Sequence, residues 1–290
     1  MGKIIWLASY PKSGNTWLRI FLANFLSESD RPVDFNQLED YEDLNCISNA
    51  RTLFDREAGV ESSDLTEDEI DRYLPRVYER ISQQSDRSDS KTIFIKTHDT
   101  FARNAWGEPI FSKAATQGVI YLIRNPLDVA VSYAHHLACP LEQAIRILCY
   151  GSNKTEGWTI QLRQRLSSWR EHVISWVDES DVPVYVMRYE DMQRQPLQVF
   201  QGAMLFANLP DRPDRLQLAL DYSSFDRLQA RESQTGFVEK LLEAKAFFRQ
   251  GKIGSWQGVL SETQVETIVR AHGDVMRRFG YLDDGDRPVC

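Results

Sequence analysis

Tyr10-Pro11-Lys12-Ser13-Gly14-Asn15-Thr16-Trp17 is the stretch on which the reading of this chain turns. Before it runs Ile4-Ile5-Trp6-Leu7-Ala8, an apolar run of the length of a buried strand. After it runs Leu18-Arg19-Ile20-Phe21-Leu22-Ala23-Asn24-Phe25-Leu26, with the apolar spacing of a buried helix. A strand, a tight loop and a helix leave the first helical amides pointing at whatever precedes them, and the helix dipole adds positive potential there. Lys12 adds a full charge, Ser13 and Thr16 add hydroxyl donors, Gly14 allows close approach to the backbone, and Trp17 offers a flat surface for a purine. The segment reads as an anion cradle. It is not the triphosphate loop G-x-x-x-x-G-K-[ST], because Lys12 precedes Gly14 and there is no second glycine. It suits a phosphate or sulfate better than a magnesium triphosphate. An ordinary strand–helix turn with a solvated lysine is the plainer alternative.

Working outward, Lys3–Ser9, Thr92–Thr97, Gly118–Ile123 and Pro183–Arg188 read as short apolar strands separated by helical patterns. That alternation predicts an α/β fold: a central, mostly parallel sheet flanked by helices, with a P-loop-like anion-binding loop after the first strand. Thr66–Gln83 reads as an amphipathic helix opened by a Thr66/Glu69 capping box and kinked or split at Pro75, followed by a surface loop over Ser82–Ser90. Asn125-Pro126-Leu127-Asp128 is a helix start, and Ser261-Glu262-Thr263-Gln264 opens a last helix that Gly280 stops. No linker or repeat divides residues 1–290, so one domain is expected, with about 30–90 as a variable helical region.

Composition narrows the function. The net charge of −8 argues against a general nucleic-acid binder, and no apolar run approaches a membrane span. Residues 28–89 carry 18 acids against 7 bases, so the rest is mildly basic. Cys46, Cys139, Cys149 and Cys290 form neither a metal-type pair nor a disulfide framework, which points to a reduced, cytoplasmic setting without a metal.

Three further segments could carry chemistry. Lys96-Thr97-His98 ends the second strand, where open parallel sheets bind ligands, and an imidazole there can take a proton from a hydroxyl. A buried histidine without chemistry has the same signature. Arg124 ends the third strand, with Ser132 two turns into the helix that follows; together they suit a terminal phosphate. Phe247–Trp256, with two glycines between cations, reads as a loop that folds over an anion.

Together these segments resemble the cytosolic-type sulfotransferases that use 3′-phosphoadenosine 5′-phosphosulfate (PAPS), the bacterial small-molecule enzymes among them, over nearly the whole chain. Tyr10–Trp17 is similar to the family's YPKSGTTW loop, Lys96-Thr97-His98 to its KTH segment, and Arg124 through Ser132 to its 3′-phosphate segment. Arg188-Tyr189-Glu190-Asp191-Met192 resembles YEDM, Ser223-Ser224-Phe225 the adenine-side segment, and Arg249–Trp256 the RKGxxGDW loop. The resemblance implies that Lys12 neutralises the bridging oxygen as the sulfuryl group leaves. Ser13, Gly14, Asn15 and Thr16 would hold the 5′-phosphate. Trp17 and Phe225 would flank the adenine, with Tyr189, Ser223 and Ser224 at its edge or the ribose. Arg124, Ser132, Arg249 and Gly251 would hold the 3′-phosphate, and His98 would deprotonate the acceptor. The co-substrate would be PAPS and its product adenosine 3′,5′-bisphosphate (PAP), with no metal.

The chain departs from the pattern at Gln250, where the family has lysine and Lys252 stands as a candidate replacement, and at Ser255, where it has aspartate. Gln257–Glu266 fits the family's dimer motif poorly, so no dimer is carried over. Phe35, Phe101, His136 and Trp158, with Tyr41, Leu53, Phe54 and Leu137, are the residues expected to line an acceptor pocket. Their aromatic character suits an apolar or aromatic small molecule, and they serve equally well as core. A small-molecule kinase and a non-catalytic nucleotide-binding protein are the competing readings.

Overall fold

The computed structural model describes residues 2–27, 29–38, 44, 46–84, 92–155 and 160–289. In chain order the elements are β1 (Ile4–Ser9), α1 (Asn15–Leu26), β2 (Cys46–Ile47), α2 (Arg51–Ala58), α3 (Glu67–Gln84), β3 (Ile93–Thr97), β4 (Thr116–Ile123), α4 (Pro126–Leu137), α5 (Leu141–Tyr150), β5 (Ser152–Thr155), β6 (Gln164–Leu166), α6 (Trp169–Val177), β7 (Val184–Arg188), α7 (Tyr189–Arg194), α8 (Pro196–Phe206), α9 (Pro213–Tyr222), α10 (Phe225–Thr235) and α11 (Glu262–Arg278). Five strands form one sheet in the order β2-β3-β1-β4-β7, every pair parallel. The four strands read from sequence are all in it. The two-residue β2 and the small β5–β6 pair are additions that no apolar run announces.

Both faces of the sheet are covered, and β1 shows why its run is wholly apolar. Ile4, Trp6 and Ala8 join the core under α3, α4, α5, α6 and α11. Ile5 and Leu7 join the opposite core with α1, α8 and α9. Successive side chains of a strand point to opposite faces, so a strand buried on both sides reads as a near-continuous apolar run, here Ile4 to Ala8. Trp6 ties the variable helical region to the sheet: its indole meets Tyr78 of α3 and Phe111 edge-on, each at 4.8 Å, and donates to the Thr116 hydroxyl at 2.8 Å.

Helix starts follow the sequence cues. Asn125 caps α4 by accepting from Leu127 N at 3.0 Å, and Ser261 with Gln264 makes the capping box of α11. Thr66 and Glu69 cap α3, which runs unbroken through Pro75 rather than splitting there. Residues 82–84 are its last turn; the remainder of the expected loop, 85–90, lies outside the described residues.

Candidate active site

Because all five strands are parallel, their carboxyl ends share one edge, and β3 and β4 lie on opposite sides of β1 there. That is where an open α/β sheet makes its crevice. A cavity of about 970 Å³ lies at this edge, lined by Lys12, Thr16, Trp17, His98, Arg124, Ser132, Tyr189, Phe225, Arg249 and Gly251 among others. Lys12, His98, Arg124 and Tyr189 meet because they follow the ends of β1, β3, β4 and β7.

The loop after β1 bends through two left-handed positions, Gly14 (φ 102°) and Lys12 (φ 70°). Glycine tolerates this, whereas a lysine there costs about 1–2 kcal/mol. The Lys12 carbonyl is fixed by Arg124 Nη1 at 3.1 Å. Its ammonium lies 4.1 Å from the Phe247 ring centroid, and burial, with Arg124 and Lys96 nearby, lowers its pKa to about 8. Asn15 Nδ2 is spent on the Leu7 carbonyl at 2.8 Å and Ser9 Oγ at 3.1 Å, so this side chain braces the loop against β1. Ser13 Oγ is buried and has no partner.

His98 follows β3. Its Nδ1 lies 2.8 Å from the Ser9 carbonyl oxygen, and a carbonyl only accepts, so Nδ1 carries the proton. Nε2 is left as the ring's acceptor on a residue that lines the cavity. Burial and the Lys96 charge hold the pKa well below the usual histidine value, so the ring is neutral near pH 7. The His98 carbonyl in turn accepts from His172 Nε2 at 3.2 Å, and His172 Nδ1 is 2.8 Å from the Tyr121 hydroxyl.

Arg124 follows β4. Its guanidinium lies 4.2 Å from the Tyr189 ring centroid and donates to the Lys252 carbonyl at 3.1 Å, while Nε is buried and unpartnered. The neighbouring backbone is pinned by the buried Glu190 carboxylate, which accepts from Asn125 N and the Tyr281 hydroxyl, each at 3.0 Å. The 249–256 loop is held over the helix start by Asp128, which accepts from Gly254 N at 2.8 Å, Ser255 Oγ at 2.8 Å and Trp256 N at 3.0 Å. Gln193 bridges the Tyr189 hydroxyl (3.0 Å) and the Gly251 carbonyl (2.8 Å). Trp17 meets Tyr189 edge-on at 6.0 Å, and Ser132, Arg249, Gln250 and Lys252 complete this side of the lining.

Ser223 and Ser224 line the cavity beside Phe225, with their hydroxyl protons turned to helix-end carbonyls: Ser223 donates to the Ala219 carbonyl at 2.7 Å and Ser224 to the Asp221 carbonyl at 2.9 Å. Serines at a helix end commonly donate to a carbonyl three or four residues back. Other expected residues lie elsewhere. Phe101 packs in the core against Trp176 at 5.5 Å and Phe111 at 6.1 Å, and Leu53 and Phe54 are core residues too. Phe35, His136 and Leu137 do line the cavity. Tyr41 and Trp158 lie outside the described residues.

Four participants escaped the sequence reading: Lys96, Arg19, Asp128 and Glu239. Lys96 had a signal, a cation inside an apolar strand. Asp128 had one as well, an acid in the first turn of the capped helix. Arg19 sits within an apolar helical run and is buried. Glu239 had no signal, because its partners Thr16 and Arg19 are 223 and 220 positions away.

Comparison with known proteins gives the family and the fold. A model of the sulfotransferase domain family matches residues 3–280. Sulfotransferase 2A6 of Rattus norvegicus is 26% identical, covering 94% of this chain and 84% of the relative. The flavonol 3-sulfotransferase of Flaveria bidentis is 23% identical over 91% of this chain and 78% of its own length. In fold the chain is similar to a retinol dehydratase solved with retinol and PAP (TM-score 0.61, 19% identity, 96% of this chain and 82% of that one). It is similar also to mouse sulfotransferase SULT7A1 complexed with PAP (TM-score 0.59, 18% identity, 95% and 84%). The chain is a sulfotransferase, a member of the sulfotransferase domain family across nearly its whole length.

Proposed function

We propose that the chain transfers the sulfuryl group of PAPS to a hydroxyl of a small or medium organic acceptor, with His98 as general base. The observation that carries this is the tautomer of His98: Ser9 fixes the proton on Nδ1, leaving Nε2 free in the cavity that also contains Lys12. The cavity suits such a donor. On its lining, Trp17 Nε1 and Arg124 Nε are buried without partners, as polar atoms awaiting a ligand would be, and so is Ser13 Oγ in the same loop.

The donor supplies an activated sulfuryl group on a phosphate leaving group. In this reading His98 Nε2 removes the acceptor's proton. Lys12 Nζ offsets charge at the bridging oxygen. Thr16 and the first amides of α1 hold the 5′-phosphate. Arg124, Ser132 and Arg249 hold the 3′-phosphate, and Trp17 and Phe225 flank the adenine. Positioning and fixed charge of this kind are the main sources of rate in such transfers. The acceptor side is apolar: Leu137, Ile160 and Leu162 line the cavity, and Ile160, Leu197 and Val238 are exposed beside it. An apolar or aromatic alcohol or phenol fits that chemistry. The continuous family match supports one domain over 1–290, and the likeness to cytosolic-type enzymes supports a cytoplasmic setting.

The test is thermal melting with PAP and, separately, with ATP and magnesium, followed by labelled PAPS with a panel of hydroxyl acceptors. A ligand at about 100 times its Kd stabilises by about 2.7 kcal/mol. Stabilisation by PAP and transfer of label support the reading; preference for ATP with magnesium would replace it with a kinase.

A further inference from the structure

The cradle already holds an anion belonging to the chain. Glu239 lies in the segment after α10, far from the cradle in sequence, and lines the cavity. Its Oε2 accepts from the Thr16 hydroxyl at 3.1 Å and stands 3.5 Å from Lys96 Nζ. Its Oε1 is bonded by Arg19, whose side chain is only 4% exposed. Burial alone would raise the carboxyl pKa; Lys96, Arg19 and Thr16 hold it far below the usual range, so the group is charged. Its charge is also felt by Lys12, His98 and His136, whose pKa values it raises.

We propose that Glu239 is an internal competitor for the donor: in the free chain its carboxylate occupies the 5′-phosphate position at Thr16 and Lys96, and donor binding displaces it. The proposal rests on the PAPS reading of the cavity. The Thr16 hydroxyl has one proton and serves one acceptor at a time. A phosphate and a carboxylate sharing these donors would also repel strongly where water is excluded. Phe237 holds the turn in the core against Phe35, Phe247 and Phe248, while neighbouring Val238 is 71% exposed, so the displaced carboxylate can swing toward the open side. The turn keeps anchors besides the glutamate: Asn36 Oδ1 accepts from Val238 N at 3.0 Å and Asn36 Nδ2 donates to the Gly236 carbonyl at 3.2 Å.

The consequence is selectivity. An empty cradle with Lys12, Lys96 and Arg19 unbalanced would collect any small anion. With Glu239 in place, a ligand must replace its contacts to Thr16, Lys96 and Arg19, which a free phosphate or sulfate does poorly. A ligand that also engages Arg124 and the Trp17–Phe225 side has the additional binding energy to do so.

The experiment is calorimetric binding of PAP and of adenosine 3′-monophosphate to the unaltered chain and to Glu239→Gln and Glu239→Asp, with each variant's fold checked by melting. Glu239→Gln removes the charge; Glu239→Asp keeps it but falls one methylene short of Thr16. The expected result is PAP affinity about tenfold higher in both variants, with the 3′-monophosphate unchanged because it has no 5′-phosphate. Unchanged or weaker PAP binding overturns the proposal. So does equal tightening of both ligands, or tightening with glutamine alone, since either would mark a general charge effect. A chain and variants that bind neither ligand would fell the PAPS reading itself.

Discussion

Gly251 sits so close to Phe225 that a methyl group on the glycine would lie 2.3 Å from the ring's Cδ2. The 249–256 loop and the aromatic wall of the cavity are therefore one fitted unit. Gly251 also has φ 59°, a left-handed position. Gly251→Ala is expected to weaken PAP binding about tenfold or more. Gly258→Ala is the control: its φ is 70° but nothing lies within 4 Å of an added Cβ. Equal losses in both variants, measured by calorimetry and melting, would mean that the fit to Phe225 is irrelevant.

The Ser9 contact assigns His98 a fixed tautomer and a neutral ring. His98→Ala should lower kcat by about 10²–10⁴-fold and leave PAP affinity close to the parent's. Because burial holds the pKa of His98 well below its ordinary value, kcat should show no acid limb near pH 6.5. A limb at that pH, or PAP binding lost together with turnover, would contradict the assignment.

Lys12 titrates at about 8 in the free chain, lowered by burial first and by Arg124 and Lys96 after it. A bound anion favours the charged form and raises that pKa. PAP binding should therefore take up a proton just above pH 8, and affinity should fall as pH rises through that range. Calorimetry in two buffers of different ionisation heat reads the uptake directly. It should vanish near pH 6.5 and in Lys12→Ala.

His172 and His272 are fully buried and lowered to about 4, chiefly by burial. Their folded values are depressed, so the unfolded chain takes the proton first as pH falls. The stability they contribute is complete above about pH 6.5 and is lost toward pH 4, at about 1.4 kcal/mol per pH unit for each. Asp99 works in the opposite direction: burial raises it to about 6, so the fold regains that cost as pH drops below 6. His272 has no partner on either ring nitrogen. His272→Leu should therefore flatten the melting curve against pH and raise Tm at pH 5, with less change at pH 8. Parallel curves for parent and variant would show that His272 does not contribute.

Much of the fold could be read from the chain because its signals are local. An all-apolar run such as Ile4 to Ala8 belongs to a strand covered on both faces, and caps such as Asn125-Pro126 and Ser261–Gln264 set helix starts within a few residues. β2 is two residues long and paired only at the sheet edge, too short to have a period. The aromatic residues proposed as acceptor lining divided: Phe35 reached the cavity and Phe101 went to the core, a difference that composition does not carry. Ser223 reaches the cavity as its motif implies, but that its hydroxyl proton goes to the Ala219 carbonyl is visible only in the fold.

By itself the sequence determined the four longer strands of the parallel sheet, the helix starts marked by caps, the anion-binding loop after the first strand, and which residue types follow those strand ends, since these depend on neighbours within a few positions. Only the tertiary structure decided which of them meet. Parallel pairing brought Lys12, His98 and Arg124 to one edge, Asp128 took hold of a loop more than 120 positions away, and Glu239 came to rest on Thr16. Such contacts form because a charge or a backbone amide removed from water must find a partner wherever the fold places one, and no local pattern records that choice.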